Sequence, residues 1–136
     1  MLHYIFIGLG GAIGASSRYL IDFYMSSHTP INFPIGTLMA NLVGCFIIGI
    51  AFRVFHHDII HTKFNPFIIT GFLGALTTFS SYAYATLILI EKGHYFLAGT
   101  NLLLNNIFGI LFAYLGARFT NYMVKKHLFH KFKGDE

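Results

Sequence analysis

Glycines, hydroxyls and aromatic rings crowd together from Gly71 through Phe72, Leu73, Gly74, Ala75, Leu76, Thr77, Thr78, Phe79, Ser80 and Ser81 to Tyr82, inside an otherwise apolar segment. The pattern predicts a helix that is interrupted on purpose. In hydrocarbon an unpaired backbone amide or carbonyl costs several kcal/mol, so a break at membrane depth persists only where protein or a water-filled path takes up the freed groups. Such freed groups, beside clustered hydroxyls, are what an ion site needs.

Polar side chains inside apolar segments narrow the reading, because each needs a partner or water. Asn41, near the middle of the second segment, offers two donors and an acceptor, which serve a helix interface and a polar path equally well. Asn101, Asn105 and Asn106 add to the set. Asn101 and Asn105, four residues apart, share a helix face with Gly109, and a polar track along one face favours a pore. Arg18 admits two readings: an interfacial anchor that snorkels to water, or a positive charge in an aqueous vestibule that draws in anions. Asp22, one helical turn further on, is placed to pair with it.

Residues of this kind need a membrane domain to position them, and the composition supplies one. The chain has 136 residues, 55% hydrophobic and 10% charged, with mean hydropathy +0.64, far from the balance of a soluble domain. Four apolar segments, about 3–24, 33–55, 66–90 and 95–122, each reach the roughly 20 residues that a helix needs to cross a bilayer. They predict an all-α integral membrane domain over 1–124 with a broken third helix, followed by a basic tail over 125–136. Ser26 to Pro34 holds two prolines, His56 to Asn65 holds charge and histidines, and Glu91-Lys92-Gly93-His94 is a short polar turn. Met1 to Ile13 lacks the basic start of a secretory signal, and reads as part of the first span.

Orientation follows from nine basic residues. Arg53, Lys63, Arg118, Lys125, Lys126, Lys131 and Lys133 fall on the side of the termini, with only Arg18 and Lys92 nearer the other. Cytoplasmic flanks carry the excess of Lys and Arg, so both termini are expected in the cytoplasm, with the chain in the inner (plasma) membrane and lipid around it.

Other chemistries fit less well. Gly8-Leu9-Gly10-Gly11-Ala12-Ile13-Gly14 has Ile13 where a dinucleotide-binding loop needs its third glycine, and lacks the strand-turn-helix context. Gly10 with Gly14, and Gly36 with Ala40 and Gly44, instead have the spacing that lets helix backbones approach. His57 and His61 beside Asp58 have metal-ligand spacing but fall in a loop. Cys45 has no second cysteine to pair with. No nucleophile and base recur in triad-like context, which leaves an enzyme without support, and no nucleic-acid partner is expected.

The combined motifs Gly10-Gly11-Ala12-Ile13-Gly14-Ala15 with Arg18-Tyr19, Pro34-Ile35-Gly36-Thr37-Leu38 with Asn41 and Gly44, and Gly71-Phe72-Leu73-Gly74 with Thr77-Thr78-Phe79-Ser80 resemble the Fluc/CrcB family of fluoride channels. The resemblance implies a dual-topology dimer, two four-helix subunits packed antiparallel, with two fluoride pores and one structural sodium ion at the centre. It assigns the sodium to backbone carbonyls of Gly74 and Thr77. It places the paired pore aromatics on Phe79 and Tyr82 and the pore asparagine on Asn41. The hydroxyls along the path fall on Thr37, Thr78, Ser80 and Ser81, with Asn105 near the position of a fourth-helix serine. Fluoride would leave passively, its lost water replaced by amide and hydroxyl donors and by the positive edges of rings.

The chain departs from the family pattern at Tyr82, where a second phenylalanine is usual, at Asn101, where the fourth helix usually carries an aromatic, and at Ala83-Tyr84-Ala85-Thr86, which lacks an acidic residue often found there. Its one-sided charge favours pairing with a separate homologue of opposite orientation over pairing with itself. A small dual-topology multidrug or metabolite exporter is the rival, but no Glu stands in the first span to couple it to protons. A purely structural four-helix protein explains the glycines but not the hydroxyls clustered at a helix break.

Overall fold

The computed structural model describes residues 2–28 and 33–133, with side chains over 3–27 and 33–126. Residues 29–32 of the expected first loop and 134–136 of the tail lie outside the described residues, as do the side chains of His127, His130, Lys131 and Lys133. Helices α1 (Leu2–His28) and α2 (Ile35–His56) are continuous. The third span is divided. Its first half, α3, runs through Pro66–Leu73 in a wide π-type winding and continues as Gly74–Leu76, and its second half, α4, is Phe79–Glu91. The fourth, α5, passes from Tyr95–Leu103 through a π-type stretch, Leu104–Phe108, into Gly109–Lys133. Four stretches, His3–Ser27, Ile35–His56, Thr62–Glu91 and Tyr95–Lys126, are long and apolar enough to cross a membrane.

Local chemistry sets these boundaries. Pro66 opens α3, where its missing N–H has no intrahelical role. Gly93 closes α4 with φ +75°. That left-handed residue lets its own N–H reach the Ile90 carbonyl at 2.9 Å and the His94 N–H reach Leu89 at 2.8 Å, which satisfies carbonyls that a helix end would otherwise leave open. The first span extends past the expected residue 24, and α5 continues beyond 122, so Lys125 and Lys126 stand on a helix.

Lipid removes the hydrophobic drive between helices, so close packing must hold the bundle. Helix α1 lies across α3 and beside α2, α2 runs along the second half of α5, and α4 pairs with the start of α5. Glycine makes the first crossing possible: a Cβ on Gly14 would strike the Phe72 carbonyl, and one on Gly71 would lie 2.7 Å from the Ile7 carbonyl. At the α2–α5 crossing, Gly49 meets the Ala113 backbone and Gly116 the Phe46 backbone. Ala51, Leu73 and Leu76 are buried at the centre, with Ile47, Phe55 and Phe72 packed against them. Large apolar side chains such as Tyr4, Phe96 and Ile110 point outward, as they do in a multi-pass membrane protein.

Candidate functional site

The third span breaks at Thr77 and Thr78, whose backbones are extended (φ −83°, ψ 148° and φ −150°, ψ 122°). The last helical bond before the break runs from the Thr77 N–H to the Leu73 carbonyl at 3.0 Å, and the Thr77 hydroxyl donates to the same carbonyl at 2.9 Å. Beyond it the donors are diverted. The Thr78 N–H, which a continuous helix would direct to Gly74, donates instead to Asn41 Oδ1 at 2.8 Å. The Ser81 N–H, which would have reached Thr77, donates to Thr78 Oγ1 at 3.2 Å and caps α4. The carbonyls of Gly74 and Thr77 thus lose their usual helical partners, and Gly74 lies on an exposed face.

Carbonyl oxygens are of the ligand type that hard cations take. Among the described residues no cluster of histidine, cysteine or carboxylate side chains could hold a metal ion.

A chain of amides runs outward from the break. Asn41 Nδ2 donates to Asn105 Oδ1 at 2.8 Å and to the Thr78 carbonyl at 3.3 Å. Asn105 Nδ2 donates to the Asn101 carbonyl at 3.1 Å and to Asn101 Oδ1 at 2.9 Å. Asn101 Nδ2 donates to Thr86 Oγ1 at 2.8 Å, and that hydroxyl donates to the Tyr82 carbonyl at 2.8 Å. The sense of the whole chain is fixed by one group. A backbone N–H can only donate, so Thr78 forces Asn41 Oδ1 toward itself, and each amide after it must turn its nitrogen to the next acceptor. Three elements, α2, α4 and α5, are tied together at the break.

A cavity of about 190 Å³ opens beside this chain, lined by Asn41, Cys45, Thr77, Thr78, Phe79, Tyr82, Asn105 and Asn106. Phe79 and Tyr82 meet edge to face, with ring centroids 5.3 Å apart at 65°. They differ sharply in burial: Tyr82 is 5% exposed and Phe79 77%. The Tyr82 hydroxyl accepts from Asn106 Nδ2 at 2.9 Å. Thr78 Oγ1 lies 3.0 Å from Ser80 Oγ and donates to Ser81 Oγ at 3.3 Å, a cluster of hydroxyls at the head of α4.

A second cavity of about 180 Å³ lies across the break, lined by Ala15, Arg18, Tyr19, Asp22, Thr37 and Ser81. Arg18 turns inward here. Its Nε donates to the Ala75 carbonyl at 3.1 Å, replacing the helical partner that the break removed, and its Nη1 donates to Ser81 Oγ at 3.1 Å. Asp22 is exposed, with its carboxylate beside Gly36.

Residues expected from the sequence thus gather around one helix break. Asn41, Thr78, Phe79, Tyr82 and Asn105 line the first cavity, Arg18, Thr37 and Ser81 the second, and Ser80 joins the hydroxyl cluster. Asn101 stands apart: at 1% exposure it is buried between helices as a link in the amide chain. Thr86 and the contact of Asn106 with Tyr82 escaped the sequence reading. Thr86 left one signal, its position one helical turn after Tyr82.

Comparison with known proteins points the same way. The family model described as CrcB-like protein, Camphor Resistance (CrcB), matches residues 5–117. A fluoride-specific ion channel FluC from Vibrio parahaemolyticus is 44% identical over 112 residues, covering 82% of this chain and 88% of that protein. A FluC from Legionella pneumophila is 37% identical over 125 residues, covering 91% and 93%. One from the archaeon Methanococcus maripaludis is 44% identical over 119 residues, covering 85% and 93%.

Proposed function

This chain belongs to the CrcB family, and from that premise we propose that it is a fluoride-selective ion channel, not an enzyme, through which cytoplasmic fluoride leaves passively down its electrochemical gradient. The observation that carries the reading is the break itself. Thr77 and Thr78 interrupt a membrane span, and hydroxyls, ring edges and a cationic side chain line cavities on both sides of it.

Fluoride is small and strongly hydrated, so donors must replace its water at close range. The hydroxyls of Ser81 and Tyr82 supply O–H groups, with Thr78 and Ser80 hydrogen-bonded beside Ser81, and the ring edges of Phe79 and Tyr82 supply partial positive charge. Asn41 holds the break open: its two N–H groups are engaged by Asn105 and Thr78, and its oxygen by the Thr78 N–H. Arg18 sets a positive charge at the second cavity, which concentrates anions there. Several modest sites in series allow an ion to enter and also to leave.

Gly74 is exposed within a membrane-spanning stretch, and Phe79, five residues on, is 77% exposed. Backbone oxygens cannot face lipid at low cost, which supports an antiparallel second subunit packed on this face. A structural sodium ion would be held by the Gly74 and Thr77 carbonyls of both chains. Bound there, it would neutralise oxygens that the break leaves without helical partners. The one-sided distribution of Lys and Arg supports cytoplasmic termini in a plasma membrane, and a partner that is an oppositely oriented homologue rather than a second copy.

The partner assignment is tested by purifying the chain with and without such a homologue. Fluoride flux only from the two-chain preparation is expected, and strong flux from the chain alone would refute it. The channel reading is tested by fluoride release from vesicles holding the two-chain preparation, with chloride as the control ion. Chloride release equal to fluoride release would support the rival exporter or an unselective pore.

A further inference from the structure

We infer that Asn106 is a positioning residue that makes the Tyr82 hydroxyl an obligate hydrogen-bond donor to an anion in the cavity beside the helix break. The inference rests on the channel reading and gives a role to a residue outside the expected site.

The orientation of the Asn106 amide is forced. Its Nδ2 lies 2.7 Å from the Leu102 carbonyl, which can only accept, so the nitrogen and oxygen ends cannot be exchanged. The same nitrogen reaches the Tyr82 hydroxyl at 2.9 Å. That hydroxyl oxygen therefore accepts from Asn106, and its single proton must point elsewhere. Tyr82 is otherwise buried and lines the cavity, so the cavity is where the proton points. Without Asn106, the phenol could rotate about its C–O bond and offer lone pairs or proton alike.

Backbone winding makes the arrangement possible. In a regular helix, consecutive side chains diverge by about 100°. The π-type stretch Leu104–Phe108 widens the turn, and Asn105 and Asn106 both line the cavity. Inserted turns of this type recur at functional sites. The consequence is a division of labour between neighbours: Asn105 continues the amide chain that holds the break, and Asn106 sets the polarity of the tyrosine. The Asn41 and Asn105 N–H groups are already engaged, so the Tyr82 proton is one of the donors left for an anion. A fixed donor also disfavours cations, which ties the pair to charge selectivity.

The test uses the complete channel, reconstituted with its opposite-topology homologue where flux requires one, in wild-type, Tyr82→Phe, Asn106→Leu and doubly substituted forms. Losing one hydrogen bond to a charged group is expected to lower the fluoride-to-chloride selectivity ratio about tenfold in each single variant. The double variant should fall no further than either single one. An equal loss from Asn106→Leu in the wild-type and Tyr82→Phe backgrounds would mean a merely structural role and overturn the inference. A binding readout separates this from the channel reading: 13Cζ-labelled tyrosine, with the Tyr82 resonance identified by its disappearance in Tyr82→Phe. Fluoride should shift that resonance, and Asn106→Leu should raise the fluoride concentration for half the shift about tenfold. A resonance that fluoride leaves unmoved in a conducting channel overturns the inference and leaves the channel reading intact. A fluoride-dependent shift in vesicles that pass no fluoride does the reverse.

Discussion

Replacing Asn41 with alanine removes three hydrogen bonds at once: the acceptor for the Thr78 N–H, and the donors to the Thr78 carbonyl and to Asn105 Oδ1. Polar contacts between membrane helices average about 0.6 kcal/mol each, which gives about 2 kcal/mol for the three. The Thr78 N–H adds to this. It has no helical carbonyl to return to without closing the break, and as a half-buried donor it adds about 1 kcal/mol, the low end of the range for buried ones. The expected total is about 3 kcal/mol, a large share of the stability of a small domain. Equilibrium unfolding in mixed micelles reads it directly. Asn105→Leu also removes three hydrogen bonds, with Asn41, the Asn101 carbonyl and Asn101 Oδ1, but orphans no backbone N–H, and should cost about 2 kcal/mol. If the two interact as drawn, the double variant should cost less than the sum of the singles. An Asn41→Ala chain that unfolds within about 0.5 kcal/mol of wild type would refute the reasoning, because the break would then not depend on the amide that spans it.

The remaining expectations concern packing, charge and the cation. A Cβ on Gly10 would strike the Phe67 carbonyl, whereas Gly11 has nothing within 4 Å. Gly10→Ala should therefore destabilise by about 1–3 kcal/mol and Gly11→Ala should be neutral, as thermal melting in detergent would show. Equal behaviour of these neighbours would contradict the helix packing. Arg18→Met should reduce fluoride flux several-fold in dilute salt and progressively less toward 1 M, where the Debye length shrinks to about 3 Å. A salt-independent loss would assign Arg18 to structure alone. Exchanging sodium for a bulky organic cation should lower the melting temperature of the assembled channel, with recovery on adding sodium back. An unchanged melting curve would remove the cation from Gly74 and Thr77.

Much of the fold was legible because membrane helices write their length in hydropathy. The four spans emerge from apolar runs, and the break is announced by Thr77-Thr78 beside Ser80-Ser81, residues with little reason to cluster in lipid. Boundaries were less clear. Basic residues after Tyr122 continue α5, because Lys125 and Lys126 are good helix formers whatever their polarity. Pair spacing along one helix could identify Gly10 and Gly14, but not the meeting of Gly49 with Ala113, since a contact between distant spans leaves no local period.

The site was legible as a set of residues and opaque as a network. Asn41 and Asn105 are conspicuous as polar residues in apolar spans. Their mutual bond, and its polarity set by the Thr78 N–H, exist only once three helices are assembled. Arg18 shows the same limit. By position it suggests a side chain reaching toward water, whereas its Nε takes the carbonyl of Ala75 that the break sets free. Nothing in the order of residues could reveal that vacancy. The π-type turn at Leu104–Phe108 was equally hidden, because its sequence carries no proline or glycine to mark it.

Fluoride release from vesicles containing the channel, compared with chloride release and with a Phe79→Ile variant, tests the central claim most directly. Phe79 is exposed on the subunit surface and meets Tyr82 edge to face, so its loss should spare folding and remove the ring edge from the path. Rapid fluoride release, no matching chloride release, and loss of the fluoride signal in a variant that still assembles are expected. Release of fluoride and chloride at similar rates, or a Phe79→Ile channel as active as wild type, would contradict a selective fluoride path at the broken third helix.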